Sequence, residues 1–116
     1  SKVTIDIPLL PPLAAAIDAL PPTQMAFMQA ASGKAHTAGT IGNYMQEWCD
    51  QAGLPHCSSH GLRKAGAVIA AENGATNEQL KAIFGWTTSQ QADRYTQAAQ
   101  RKKLATAGAK HLRISN

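Results

Sequence analysis

The sequence predicts a mainly α-helical fold (α+β overall), with a short N-terminal strand or small β element, on three observations. Apolar residues recur at helical spacing across residues 37–52, where Ile41, Tyr44, Met45, Trp48, Cys49 and Ala52 share one stripe. Helix-start and helix-stop residues punctuate much of the remainder, with Pro11-Pro12, Thr76 and Gln79 at starts and Gly53, Gly74 and Gly85 at ends. Clean two-residue alternation is seen at residues 2–7.

In chain order, Val3, Ile5 and Ile7 alternate with Lys2, Thr4 and Asp6, the pattern of a half-buried strand. No run of equal quality follows at once, so its antiparallel neighbour is expected upstream of this chain. Pro11-Pro12 opens a short helix striped by Leu13, Ile17 and Leu20 and stopped by Pro21-Pro22. Residues 25–28 form a short apolar run with weak strand character, and Ala31-Ser32-Gly33-Lys34 reads as a turn. The helix at 37–52 is the best marked. Its stripe makes Tyr44 and Trp48 core residues rather than platforms for stacked bases.

A further helix is expected at 59–73. Leu62, Ala65, Gly66 and Ile69 make its buried side, with His60 and Arg63 toward the opposite side. Gly66, Ala67 and Ala70 are small enough to admit a close neighbour. Thr76 caps the next helix with Gln79 as its reciprocal partner, Leu80, Ile83 and Phe84 facing inward and Gly85 ending it. Thr88 or Ser89 caps the last helix, expected through Ala99 and as far as Leu104, with residues 105–116 as a tail. One domain accounts for all 116 residues.

Composition narrows the partner and the compartment. A hydrophobic content of 44% suits a folded core rather than disorder. The net charge of +4 and a pI near 9.3 suit a polyanionic partner without requiring one. Cys49 and Cys57 make no disulfide framework, which fits a reduced, cytoplasmic chain. There is no apolar run of membrane-spanning length and no signal-peptide core, so no membrane partner is expected. A start at Ser1-Lys2, without methionine, reads as a piece excised from a longer chain.

The chemistry concentrates in residues 60–95. Arg63 follows His60 by three residues, Gly85-Trp86 places an indole 23 residues after Arg63, and Tyr95 follows Trp86 by nine. These residue types suit attack on a phosphodiester. A phenol, with an ordinary pKa of about 10, is a poor nucleophile at neutral pH, so its attack needs electrostatic assistance. Arginine can hold two non-bridging oxygens of the phosphorane at once, and Arg63 is the candidate. His60 can exchange a proton with the tyrosine or donate to the phosphate. Trp86 offers one N–H that cannot serve as acid or base.

These blocks resemble the C-terminal signature of the tyrosine recombinases, the phage integrase family. Its pattern is H-x-x-R, then His or Trp after glycine, then the nucleophilic Tyr nine residues on. His60-Gly-Leu-Arg63, Gly85-Trp86 and Tyr95 match it throughout. Weaker similarity covers the strand ending in Ile7-Pro8, the Ala-rich helix, the Ser-Gly-Lys turn and Ala52-Gly-Leu-Pro55. The resemblance implies the helical C-terminal part of an integrase-like catalytic domain. It implies site-specific DNA recombination (integration or excision), cleaving and rejoining strands through a 3′-phosphotyrosyl intermediate without metal or nucleotide cofactor. The implied partners are double-stranded DNA and further subunits, a tetramer on DNA in the full-length protein. A bacterial or phage-encoded, nucleoid-associated protein is implied. Arg63 and His60 would act at the phosphate, Trp86 as the third-block donor and Tyr95 as nucleophile.

Two departures stand against the pattern. The family uses an arginine in an upstream helix, which nothing before the opening strand supplies. It also uses a lysine in a β-hairpin turn; Lys2 lies near that turn and is a candidate for it, the plainer reading being a solvated lysine entering the strand. A chain lacking these donors is expected to cleave poorly alone.

Plainer readings stand beside each assignment. His60 and Arg63 could be a solvated pair at a helix start, Tyr95 a core residue on one stripe with Ala92 and Ala99, and Trp86 a packing anchor. His56, Cys57, His60 and Cys49 fit no common zinc spacing, so no metal is expected. Lys64, Arg94, Arg101, Lys102 and Lys103 are candidate DNA-phosphate contacts or a solvated basic face. Leu112 and Ile114 are candidate anchors for a tail docking on a neighbouring subunit. The alternative function is a non-catalytic DNA-binding or assembly module that keeps the integrase fold.

Overall fold

The computed structural model describes residues 3–113. Lys2 and Ile114, singled out above, lie outside them. The chain is mainly α-helical: α1 (Pro11–Asp18), α2 (Ala38–Gln51), α3 (Ser59–Glu72), α4 (Asn77–Phe84) and α5 (Ser89–Ala109), then a 3₁₀ turn at Lys110–Leu112. Its residues divide into two compact units. One is Pro8–Leu62; the other runs from Arg63 onward and includes the N-terminal segment to Ile7. The division falls within α3.

In the Pro8–Leu62 unit, prolines at the first helical positions start α1, where a missing N–H costs nothing. The small β element lies here and not at the N-terminus. Gln29 and Ala35 form one antiparallel bridge around the 31–34 turn, where Gly33 takes a φ of +86°. Residues 25–28 form no strand. The Gln24 side-chain amide donates to the Ala26 carbonyl at 2.6 Å, bending the chain and leaving Met25 and Phe27 exposed. Thr37 caps α2 by accepting from the Thr40 N–H at 3.1 Å. Its far end closes as a Schellman motif: Gly53 has φ +77°, and the Leu54 N–H donates to the Cys49 carbonyl at 2.8 Å.

The stripe of α2 is less buried than its periodicity predicts. Ile41, Met45 and Cys49 are half-buried and Ala52 is exposed, while Tyr44 and Trp48 stand 41% and 42% exposed. These two aromatics are therefore surface residues stacked on each other, centroids 6.0 Å apart, and not core. An amphipathic stripe is buried only as far as other elements cover it. This unit offers the eight-residue α1 and a turn.

The second unit is built on alanine. Ala71, Leu80, Ala92 and Ala99 form its core, with Ala70, Ala75, Phe84, Trp86 and Tyr95 packed against it. On α3 the buried stripe is Ala67 and Ala71, whereas Leu62 and Ile69 are 64% and 60% exposed and Ala65 is exposed too. The expected orientation thus holds only for Gly66, which is half-buried against the Phe84 ring. Arg63, Ala67, Ala70 and Ala71 fall at i, i+4, i+7 and i+8, so Arg63 shares the inward stripe instead of opposing it. Small residues win this face because they permit close approach of neighbouring elements, which a Leu/Ile face would prevent.

Residues 3–7 form no strand either. Among the described residues they have no ladder partner, and Ile5 instead rests on Gly85. A second Schellman motif ends α3 at Gly74, φ +103°, with Ala75 N–H donating to the Ala70 carbonyl at 2.9 Å. The Thr76–Gln79 capping box is formed in both directions. Leu80 is fully buried and Phe84 half-buried, but Ile83 lies toward solvent at the margin of the core. Helix α5 outlasts its expected end because residues 98–109 are mostly strong helix formers, and the start of the expected tail is helical.

Asn77, at the start of α4, pins α5. Its amide donates to Asp93 Oδ1 at 2.6 Å, and its carbonyl oxygen accepts from the Thr96 hydroxyl at 2.6 Å. All three residues are half-buried, and Tyr95 lies between the two that Asn77 holds. Asn77→Ala is expected to cost about 1–3 kcal/mol, because it strands the Asp93 carboxylate in partly desolvated surroundings and leaves the Thr96 hydroxyl only the long bond to the Ala92 carbonyl at 3.4 Å. Urea unfolding checks this; a midpoint unchanged from wild type would contradict it. The Lys102–Glu72 pair at 3.1 Å, joining α5 to α3, is exposed and contributes little.

Candidate active site

The site grows from the end of α4. Gly85 takes a left-handed φ of +74°, and its N–H donates to the Lys81 carbonyl at 2.8 Å, terminating the helix. The reversal brings the rings on either side of it together. Phe84 and Trp86 stack with centroids 5.0 Å apart and an interplanar angle of 22°. Trp86 in turn stacks on Tyr95 of α5 at 5.4 Å and 9°. Three rings therefore form one column, Tyr95 held half-buried at its end by the indole face. Glycine is favoured between the Phe84 and Trp86 rings. A Cβ there would lie 2.9 Å from Ile5 Cδ1, and the φ itself disfavours any L side chain.

Arg63 of α3 reaches this column. Its Nη2 donates to the Phe84 carbonyl. Its guanidinium carbon lies 5.2 Å from the Phe84 ring centroid and 5.9 Å from that of Trp86. The carbonyl belongs to the last turn of α4, where carbonyls lack helical partners and carry partial negative charge. A guanidinium has five N–H donors, and this bond engages one of them. Arg63 remains solvent-exposed. An exposed arginine held against an indole, which in turn stacks on a phenol, has guanidinium donors that can bind an oxyanion.

The sequence-predicted residues fall as follows. Arg63, Trp86 and Tyr95 are joined by the contacts just described. His60 is exposed one helical turn before Arg63 on α3, within the Pro8–Leu62 unit. Lys64, Arg94, Arg101, Lys102 and Lys103 are all exposed; Arg94 adjoins Tyr95 on α5, and Lys102 is paired with Glu72. No acidic residue follows Asp93, so every charged side chain from Arg94 onward is basic. Two residues escaped sequence reasoning: Asn77, read only as part of a capped helix, and Phe84, read only as core. The one sequence signal for Phe84 was its place directly before the helix-ending glycine.

Among the described residues no group of three or more His, Cys, Asp or Glu side chains is arranged to hold a metal ion. Cys49 and Cys57 are free thiols, both half-buried. No described helix is long and apolar enough to cross a membrane.

No solved structure matches the chain. The integrase of Mycobacterium phage L5 is 40% identical over 57 residues, a stretch covering 49% of this chain and 15% of that protein. The chain thus corresponds to about 15% of the length of the curated relative it matches. The model of the phage integrase family matches residues 13–102, most of the sequence. On that match the chain belongs to the phage integrase family, the tyrosine recombinases.

Proposed function

We propose that this chain carries the cleavage half of a site-specific DNA recombinase, with Tyr95 as its nucleophile. The observation that carries the reading is the column of Trp86 and Tyr95 beside a fixed Arg63. The Tyr95 phenol oxygen attacks a backbone phosphorus. An Oη–P bond forms, the P–O5′ bond breaks, and the strand leaves as a 5′-hydroxyl after taking up a proton. The enzyme holds the 3′ phosphate, and attack by a different 5′-hydroxyl rejoins the strands. Phosphodiester is exchanged for phosphodiester, so no nucleotide is consumed.

Arg63 holds the non-bridging oxygens, whose charge grows in the transition state. His60 supplies or removes the proton, and Trp86 donates from its indole N–H. Lys64, Arg94, Arg101, Lys102 and Lys103 neutralise flanking phosphates of double-stranded DNA, and subunits self-associate on that DNA as a tetramer. The family's upstream arginine and hairpin lysine are not among the residues assigned here, so this chain by itself is expected to cleave slowly. Residues 105–116 dock on a neighbouring subunit; deleting them should weaken self-association, and unchanged association would sink that element.

The test is trapping on a nicked suicide duplex, whose cleavage releases a short fragment and prevents rejoining. The longest natural form of the protein should give a slow-migrating protein–DNA adduct that Tyr95→Phe does not form. DNA binding without an adduct on a verified target would favour a non-catalytic binding module.

A further inference from the structure

We infer that Phe84 is the positioning residue for Arg63, through its ring as well as its backbone carbonyl; the inference rests on the phosphate-binding role proposed for Arg63. An arginine near a helix start, exposed to solvent, would ordinarily sample many rotamers and lose that freedom on meeting a phosphate. Here its head is restrained before any ligand arrives. One N–H is bound by the Phe84 carbonyl, and the guanidinium lies over the face of the Phe84 ring at 5.2 Å. A cation over a ring face is drawn to the negative side of its quadrupole.

The ring is itself held. Trp86 stacks on it at 5.0 Å. A Cβ added at Gly66, three residues after Arg63 on α3, would lie 3.6 Å from Phe84 Cζ. That glycine admits the ring edge close to the helix carrying the arginine. Phe84 is thus packed by α3 and by Trp86, and Arg63 takes its place from both its ring and its carbonyl. The remaining guanidinium donors are left for a phosphate.

The carbonyl survives any substitution at this position, whereas the ring face does not. Phe84→Leu therefore separates the two contributions while keeping an apolar side chain in the core. Cation–π attractions of the usual strength correspond to a roughly 2- to 30-fold slower cleavage step. Phe84→Tyr, which keeps the face, should restore the rate.

A packing role could also slow cleavage, so two further readouts are needed. The first is a substrate whose scissile phosphate is replaced by methylphosphonate, which removes the charge that Arg63 answers. If Phe84 acts through Arg63, the Phe84→Leu defect should shrink on this substrate, as should that of Arg63→Ala. A defect equal on both substrates would overturn the inference. The second is nuclear magnetic resonance of this chain without DNA. The Arg63 side-chain protons should be shifted upfield by ring current in wild type and Phe84→Tyr, and lose the Phe84 part of that shift in Phe84→Leu, the Trp86 ring supplying the remainder. Unchanged Arg63 shifts, or a Phe84→Leu rate equal to wild type, would likewise overturn it. Absence of a wild-type adduct would defeat the recombinase reading itself, and the wild-type control reveals that outcome separately.

Discussion

Arg63→Ala should slow covalent cleavage by roughly a hundred- to a thousandfold, the range for removing one pre-organised donor to a developing oxyanion. The loss should fall on the chemical step. Arg63 is one cation among many on a basic chain, so non-specific DNA affinity and its salt dependence should change only slightly. Arg63→Lys is the sharper variant. It keeps the charge but replaces a planar fork by a point charge, losing the bidentate grip on two oxygens. It also exchanges a stacked guanidinium for a more strongly hydrated ammonium over the Phe84 face. Single-turnover rates for wild type, Arg63→Lys and Arg63→Ala should therefore fall in that order, with lysine well below wild type. Rates for Arg63→Lys equal to wild type would show that charge alone suffices. Equal losses in binding and cleavage for Arg63→Ala would place it in general DNA contact.

The second large effect is expected at Gly85. Its φ of +74° costs an alanine about 1–2 kcal/mol, and the new Cβ would meet Ile5 Cδ1 at 2.9 Å. The contact is with the flexible end of a side chain and can relax; the backbone conformation cannot. Gly85→Ala should thus destabilise the fold by about 1–3 kcal/mol. It should also impair cleavage beyond what unfolding explains, since Gly85 lies between the carbonyl that holds Arg63 and the indole that stacks on Tyr95. Combining it with Ile5→Ala should recover little of the stability. Gly85→Asn should be milder, because asparagine tolerates the left-handed region better. Urea unfolding together with trapping rates decides this; full recovery by Ile5→Ala would assign the whole effect to the clash.

The helix ends were legible in the sequence because their causes are local. Thr76 with Gln79, and the glycines at 53, 74 and 85, satisfy terminal backbone groups whatever the rest of the chain does. The buried faces were less legible because burial depends on what else is present. On α3 the largest apolar residues suggested the core side, yet the fold buries Ala67 and Ala71. On α2 a well-formed stripe leaves Tyr44 and Trp48 half exposed. The alternation at residues 2–7 was real but describes a strand only where a neighbour pairs with it.

The same distinction runs through the site. Types and spacing single out Arg63, Trp86 and Tyr95, since each is of a type with a recognisable use toward a phosphodiester. The carbonyl and ring of Phe84 could not be read the same way. Their role follows from the side of α3 that faces inward, and that side is chosen by alanines. Asn77 is similar: a residue inside a capped helix gives no sign of the Asp93 and Thr96 it will meet.

The central claim is that Tyr95 becomes bonded to DNA, and mapping the adduct tests it most directly. The trapped complex would be digested with nuclease and protease and the linked peptide sequenced by mass spectrometry. The account predicts a single modified peptide carrying a 3′-phosphonucleotide on the Tyr95 oxygen. An adduct on Tyr44, the chain's other tyrosine, or on any serine would contradict it.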